Sequence, residues 1–394
     1  MNFYDVLLAK KLNGGGGSPI DLRTLTVTEN GEQDAPSGVA YNKVITNVPA
    51  PSNAIYKQTL TGLPSPIATF TGADAPLDSL KASIVGVQSG SGDPSPSNVR
   101  PISGWSSCVV NRTGKNMLNE TAGVAGFFKS DGSIQSSQAW KYQYIKVNPN
   151  TNYTISNIPA PVPAVYLCWF DVNKNFISNS GSHDNVTITS PNNALYLGFC
   201  VNQNSELGAR IQIEAGNQAT AYEPYNGNTY TIPFKDSSDN PITVYDGGID
   251  VTGGSWLNNR LFEVFDNTAT VTFGRDSQPN WYYQIAGTST GTSGETAETI
   301  SNMYSYANIG NDNDNLGIMK MPNGNIRLRV GGTQPATVDD FVNSLGITPL
   351  QVVSKLATPQ TGIFTPVNIR SNGVTNISVN CGNVTELKYY SETP

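Results

Sequence analysis

Histidine is almost absent from this chain: His183 is the only one in 394 residues, and no two cysteines stand in a CxxC spacing. A structural zinc site needs clustered Cys and His ligands, so the sequence offers none and no cofactor is expected. Cys108, Cys168, Cys200 and Cys381 are far apart and read as buried free thiols on strands, the usual setting of an unpaired cysteine. A Cys168–Cys200 disulfide is the alternative, disfavoured in a reducing cytoplasm. Charge is also scarce. Asp, Glu, Lys and Arg make up 13% of the chain, against about 25% in ordinary globular proteins. The net charge of −7 argues against a nucleic-acid partner, which needs clustered Lys and Arg, and against docking on anionic lipid. No run approaches the ~20 apolar residues of a membrane span. The N-terminus has no basic segment leading into an apolar signal core, so synthesis in a cytoplasm is expected. Nucleophile-elbow and phosphate-binding glycine patterns are missing. Glu206, Glu214 and Glu223 offer carboxylates, but nothing in their spacing singles out a glycosidase pair. No catalytic residue is assigned, and the chain is read as something other than an enzyme.

What fills the space left by charge is Asn, Thr, Ser, Gly and Pro, which favour turns and strand ends over helix interiors. The fold class read from this is all-β: a helical anchor and glycine tether, small β modules, a jelly-roll sandwich and a C-terminal β-rich domain. Residues 1–18 form the anchor and tether. Seven of the ten residues 3–12 are apolar or aromatic, and four consecutive glycines follow. A ten-residue helix is marginal alone in water, so Phe3, Val6, Leu7 and Leu8 are candidate docking residues. Burying them yields roughly 6–12 kcal/mol gross, against about 4–15 kcal/mol for association, so firm attachment calls for several copies acting together. Residues 19–66 read as a small β module and linker, 67–114 as a β connector, 115–226 as a jelly roll and 227–394 as the C-terminal domain.

Within 115–226, strands are expected at 126–129, 140–147, 151–157, 164–171, 184–189, 194–201 and 207–215. Their spacing fits a sandwich or jelly roll. Trp140, Tyr142 and Tyr144 alternate on one of them and share a face. Two placements are open for these rings and for Trp169: packing into the sandwich core, or a platform on which pyranose faces stack. They are the candidate glycan-binding residues. Trp281, Tyr282 and Tyr283 pose the same choice. Asp312 and Asp314 in an Asn-Asp-Asn-Asp-Asn run lack the remaining ligands of a calcium loop, so this run and Asp171-x-Asn173 are read as turns and no metal site is assigned. The best internal helix is 337–345, capped by Thr337, with Asp339 and Asp340 in its first turn and Gly346 to end it. A weaker helix is expected at 300–307.

Several runs carry a family resemblance. The run SGDPSPSNVRPISGW followed by RTGKN, within residues 72–118, resembles a module of tail and baseplate proteins from phages and prophages of Firmicutes. The runs YIKVNPNTNYTIS, YLCWFDVNKNFIS and IQIEAGNQATAYEPY resemble the carbohydrate-binding-module-like jelly roll of the same proteins, and YTIPFKDSSDNPITVYDGGIDVTGGSW resembles the segment that follows it. The resemblance implies a virion component made in the host cytoplasm, a tail-fibre or receptor-binding-type protein. Its partners would be other tail or baseplate subunits, a host cell-surface glycan and two further copies in a homotrimer. Two other readings remain open: a lectin-like adhesin that is not virion-bound, and a polysaccharide depolymerase. Within this frame the proline-stiffened loop 90–101 is expected to orient distal domains rather than to bind anything.

Overall fold

The computed structural model describes residues 76–392 apart from 160–165, 183–184, 276–280, 289–298, 310–314 and 331–336, together with strand backbone at 23–27, 32–34, 41–46, 53–59 and 67–72. The candidate docking residues Phe3, Val6, Leu7 and Leu8, the tether and His183 lie outside the described residues. The chain is all-β, with one helix among those residues.

A central sandwich organises the whole. Its larger sheet has eight strands, in the spatial order Glu32–Asp34, Asn53–Thr59, Gly382–Glu392, Leu77–Val85, Asp246–Asp250, Ser255–Phe265, Leu350–Ile363 and Ile300–Ser301. The smaller has four, in the order Gly227–Pro233, Ser107–Thr113, Gly373–Val379 and Ile67–Gly72. Alternation builds the core between them. Leu80, Ala82 and Ile84 point inward from one sheet, and Cys108, Val110, Ile377 and Val379 from the other. Residues 67–114 are therefore not a free-standing connector. They share one core and two sheets with 227–265 and 350–392, since strands drawn from either stretch alone could not cover both faces.

Two units are inserted into this hub, each leaving and returning on neighbouring antiparallel strands. The outgoing strand Ser107–Thr113 pairs with the returning Gly227–Pro233, Thr113 opposite Gly227. The jelly roll at 114–226 hangs from that ladder. Likewise Ser255–Phe265 pairs with Leu350–Ile363, Phe265 opposite Leu350, and residues 266–349 form the second insertion.

The jelly roll packs a five-stranded sheet on a three-stranded one around Leu167, Trp169, Leu197, Phe199 and Ile213. The expected strands are present with shifted ends. Three strands are unforeseen: the two-residue Val124–Ala125 and Ile134–Gln135, and Phe176–Ser182, whose polar sequence FISNSGS sits at a sheet edge, where no burial imposes alternation. Asp171 forms the expected turn, its Oδ1 accepting from the amides of Asn173 and Asn175, both at 2.8 Å.

In the second insertion a four-stranded sheet is covered by the helix Val338–Ile347. Thr337 caps it, its Oγ1 accepting from the amide of Asp340 at 3.1 Å. Gly346 does not end it; the helix runs on to Ile347. Phe341 and Leu345 face the sheet, and the Phe341 ring stacks on Tyr283 at 4.1 Å and 13°. Their burial contributes about 3–6 kcal/mol, which holds a helix too short to persist alone. The second expected helix, at 300–307, is absent. Ile300–Ser301 is a short edge strand, after which Ser301 Oγ accepts from the amides of Met303 and Tyr304. That side-chain bond competes with a helical one.

The cysteines divide. Cys108 and Cys381, 273 residues apart, form a disulfide across the central core, with a Cα–Cα distance of 5.3 Å. This corrects the expectation of four free thiols: spacing in sequence carried no sign that the outgoing strand and the turn after Gly373–Val379 lie side by side. Cys168 and Cys200 are free and buried, as read.

Candidate ligand-binding face

The signature residues 90–116 converge on the two joints. In the loop 90–101, the Arg100 guanidinium reaches back to three carbonyls, donating to Ser89 at 3.2 Å, Gly90 at 3.3 Å and Gly92 at 2.6 Å. Asn98 Nδ2 donates to the Ser91 and Asp93 carbonyls. The closed loop then leans on the second insertion, where Arg100 N donates to Asn302 O at 2.7 Å and Gln88 Nε2 to Ser301 O at 2.9 Å. Gly104 is required by close approach: a Cβ there would lie 2.6 Å from Thr243 and 2.7 Å from the Val244 carbonyl. Trp105 locks the same corner, its indole donating to Val85 O at 2.8 Å.

The run Arg112–Thr113–Gly114–Lys115–Asn116 does the same for the jelly roll. Arg112, only 5% exposed, donates to the carbonyls of Arg370 and Asn226, both at 3.1 Å. Gly114 O accepts from Asn376 Nδ2 at 2.7 Å. Lys115 bridges to Glu223 at 2.9 Å and to the Ala221 carbonyl. Asn116 ties the incoming chain to Ile211 and Ile213.

The jelly roll is also bolted to the hub from its far side. Asn148 exchanges two hydrogen bonds with the backbone of Ile67, at 3.1 and 3.2 Å. Lys146 donates to the Val379 carbonyl, and burial pulls its pKa from 10.5 down to about 8. Between those values the unfolded chain holds the extra proton, so stability from this site rises with pH through the window from 8 to 10.5. Comparing Lys146→Met with the parent by thermal unfolding at pH 7 and pH 9.5 isolates the effect. The parent should gain about 2 kcal/mol on the variant between the two. An unchanged difference would exclude a lowered pKa at Lys146.

The candidate aromatic residues split between two faces of the five-stranded sheet. Trp169 points into the sandwich core, 1% exposed, its indole donating to Ser180 Oγ. It shares no face with the others: the strand Tyr166–Phe170 is buried on both sides, so alternation could not assign its rings. Trp140, Tyr142 and Tyr144 lie on the opposite, outer face. There the short hairpin of Phe127–Phe128 and Ile134–Gln135 covers them. Phe128, fully buried, meets Tyr142 and Tyr144 edge-on at 5.1 and 5.3 Å. Trp140 is 7% exposed and packs 6.3 Å from Phe127. The face is thus a second small core, which neither placement anticipated. Its open margin consists of half-buried Tyr144 and Tyr196 with the Lys174 ammonium 4.8 and 5.7 Å from their ring centres. Tyr196 and Lys174 were not singled out in the sequence; Lys174 reaches the rings only because the Asp171 turn folds it back.

Cys168 and Cys200 sit in this cluster, and burial pushes both thiols up to about 12, so they remain protonated and inert. Phe128 fits because position 198 is glycine: a Cβ there would stand 2.7 Å from the rings of both Phe128 and Phe170. Gly198→Ala is expected to cost about 1–3 kcal/mol and to make Cys200 react faster with a thiol reagent. Labelling at the parent rate would show that the hairpin is not held by this contact.

The three glutamates noted for their carboxylates serve loops. Glu206 Oε2 accepts from Asn202 N at 2.9 Å, Glu214 accepts from Gln212 and Thr220, and Glu223 pairs with Lys115. Among the described residues no group of three or more His, Cys, Asp or Glu could hold a metal ion. The Asp312 and Asp314 run falls outside those residues. No family model, curated protein or solved structure matches this chain.

Proposed function

We propose that this protein is a structural and adhesive component of a bacteriophage tail tip or baseplate, with its N-terminal segment docked on the particle and its inserted β domains presented to the host surface. The observation that carries this reading is the placement of the residues on which the family resemblance rests. Arg100 joins the hub loop to the second insertion through Asn302 O, and Arg112 reaches Asn226 where the first insertion returns, which is the work a display scaffold needs done. Gly104 and Trp105 lock the adjoining corner of the hub, and Asn116 ties the entering chain into the first insertion. The Cys108–Cys381 disulfide suits a protein that meets an oxidising exterior when particles are released by lysis. A weak single anchor at residues 3–12 fits a homotrimer, whose copies act together.

The test uses particles. Antibody against residues 115–226 should label the distal end of the tail and block adsorption, and deletion of residues 1–18 should remove the chain from purified virions. Protein that binds cells but never copurifies with particles would instead establish a free lectin-like adhesin. A light-scattering mass equal to one chain would overturn the trimer.

A further inference from the structure

The strand Gly227–Pro233 lies at one edge of the smaller hub sheet, and among the described residues no strand pairs with its outer side. Its inner side meets Ser107–Thr113 along an unbroken register, from Gly227 opposite Thr113 to Pro233 opposite Ser107. At the two ends of that ladder Gly114 N donates to Asn226 O and Phe234 N to Ser106 O, both at 2.8 Å. Residues 226 and 234 thus turn their backbone groups into the sheet, and so by alternation do Asn228, Tyr230 and Ile232. Gly227, Thr229, Thr231 and Pro233 turn theirs outward. Proline fits at 233 because an outward N–H is one the sheet does not use. The N–H groups of Gly227, Thr229 and Thr231 are left bare, with the outward carbonyls beside them. Proteins usually blunt such an edge with charge, a bulge or brevity. The jelly-roll edge Phe176–Ser182 has its ladder broken by shifts in register. Residues 226–234 carry no charged side chain and no bulge, and Asn228, Thr229, Thr231 and Pro233 are exposed.

We propose that this edge pairs antiparallel with the same edge of a second copy of the chain, about a two-fold axis at Tyr230. The strand is self-complementary in that register, which overlaps its whole length. Thr229 comes opposite Thr231 of the second copy, and Gly227 opposite its Pro233. Every outward N–H then finds a carbonyl: Gly227 donates to Pro233 O across the axis, Thr229 to Thr231 O and Thr231 to Thr229 O. The prolines, which have no N–H, meet only glycine carbonyls at the two ends. On the outer face the threonines form cross-strand pairs, and on the inner face the two Tyr230 rings meet at the axis. Tyr230 is half-buried against the hub core, so the contact closes the open side of both cores. The chain carries a net charge of −7, yet none of it lies on this strand to repel a second copy. Antiparallel pairing also sends the two jelly rolls to opposite ends, because each hangs from the Gly227 end of its own strand. An unrelated peptide supplies carbonyls but neither the matching threonines nor a second open core. The contact is isologous strand addition, and it does not depend on the adhesive reading.

Light scattering of the full chain at concentrations up to ~200 μM tests this. The parent should assemble in even numbers, and Thr231→Pro should halve the mass, from dimer to monomer or from hexamer to trimer. That variant removes an N–H the chain's own sheet leaves unused, at an outward position like that of Pro233, so its melting profile should match the parent's at dilutions where both are dissociated. Thr229→Cys mixed with Thr231→Cys should form an interchain disulfide on oxidation, while each variant alone should not. This second measurement decides the matter if Thr231→Pro changes the melting profile. A monomeric parent overturns the proposal and leaves the edge to an extended peptide of another protein. A mass unchanged by Thr231→Pro, or no mixed disulfide, also overturns it. A trimer that Thr231→Pro leaves whole does so too, while keeping the trimer of the virion reading.

Discussion

Glu263→Ala is expected to destabilise the second insertion by about 3–5 kcal/mol, the usual cost of leaving a buried charge without its partner. Lys320 is fully buried, and its ammonium meets the Glu263 carboxylate at 2.5 Å. The other carboxylate oxygen accepts from Thr288 N at 2.6 Å, and Lys320 N donates to Thr299 Oγ1 at 3.1 Å. Burial alone draws the Lys320 pKa downward, with Glu263 pulling it back up. Without the carboxylate only the burial remains, and the amine must shed its proton or open the fold. Because Glu263 stands on the hub strand Ser255–Phe265 and Lys320 in the inserted sheet, the pair is a clamp between them. The companion variant Glu263→Ala with Lys320→Met should recover most of the loss, since a well-packed apolar pair does without the desolvation. Thermal unfolding of the two variants decides it: equal melting points would mean that the charge pair is not what holds this joint.

The second large effect concerns the disulfide. Cys108 and Cys381 close a loop of 273 residues that contains both insertions. Cross-linking so long a segment restricts the unfolded chain strongly, and removal of a native disulfide typically costs 2–5 kcal/mol. Cys108→Ala with Cys381→Ala should lower the midpoint of denaturant unfolding by that amount. Both sites are fully buried, so reductant should act on the native protein only as fast as the central core opens. Loss of the bond within seconds of adding reductant, with the fold intact, would contradict the burial.

How much was legible differs from element to element. Thr337, Asp339 and Asp340 before an apolar pair announce a helix through local bonds and local charge, so it appears in place. Most of the jelly-roll strands follow from alternation; the polar edge strand Phe176–Ser182 escaped, since an edge has no buried face to pattern, and so did the two-residue strands Val124–Ala125 and Ile134–Gln135. The aromatic run at 140–144 was correctly placed on one face, yet sequence could not say what lies over that face. Of the covering hairpin only the first strand, Phe127–Phe128, was expected; its partner Ile134–Gln135 is two residues long and too short to announce itself. Trp169 misled because a doubly buried strand has no period.

Low charge, abundant turn-formers and short alternating runs determined by themselves that this chain makes sheets, and local capping determined its helix. Those are short-range effects, written in neighbouring residues. The tertiary structure alone decided that the first and last thirds of the chain share a core, that Cys108 finds Cys381, and that residues 90–116 brace two inserted domains. Such pairings depend on which strands meet across hundreds of residues, and the energy that selects them is burial shared between segments rather than a property of either one.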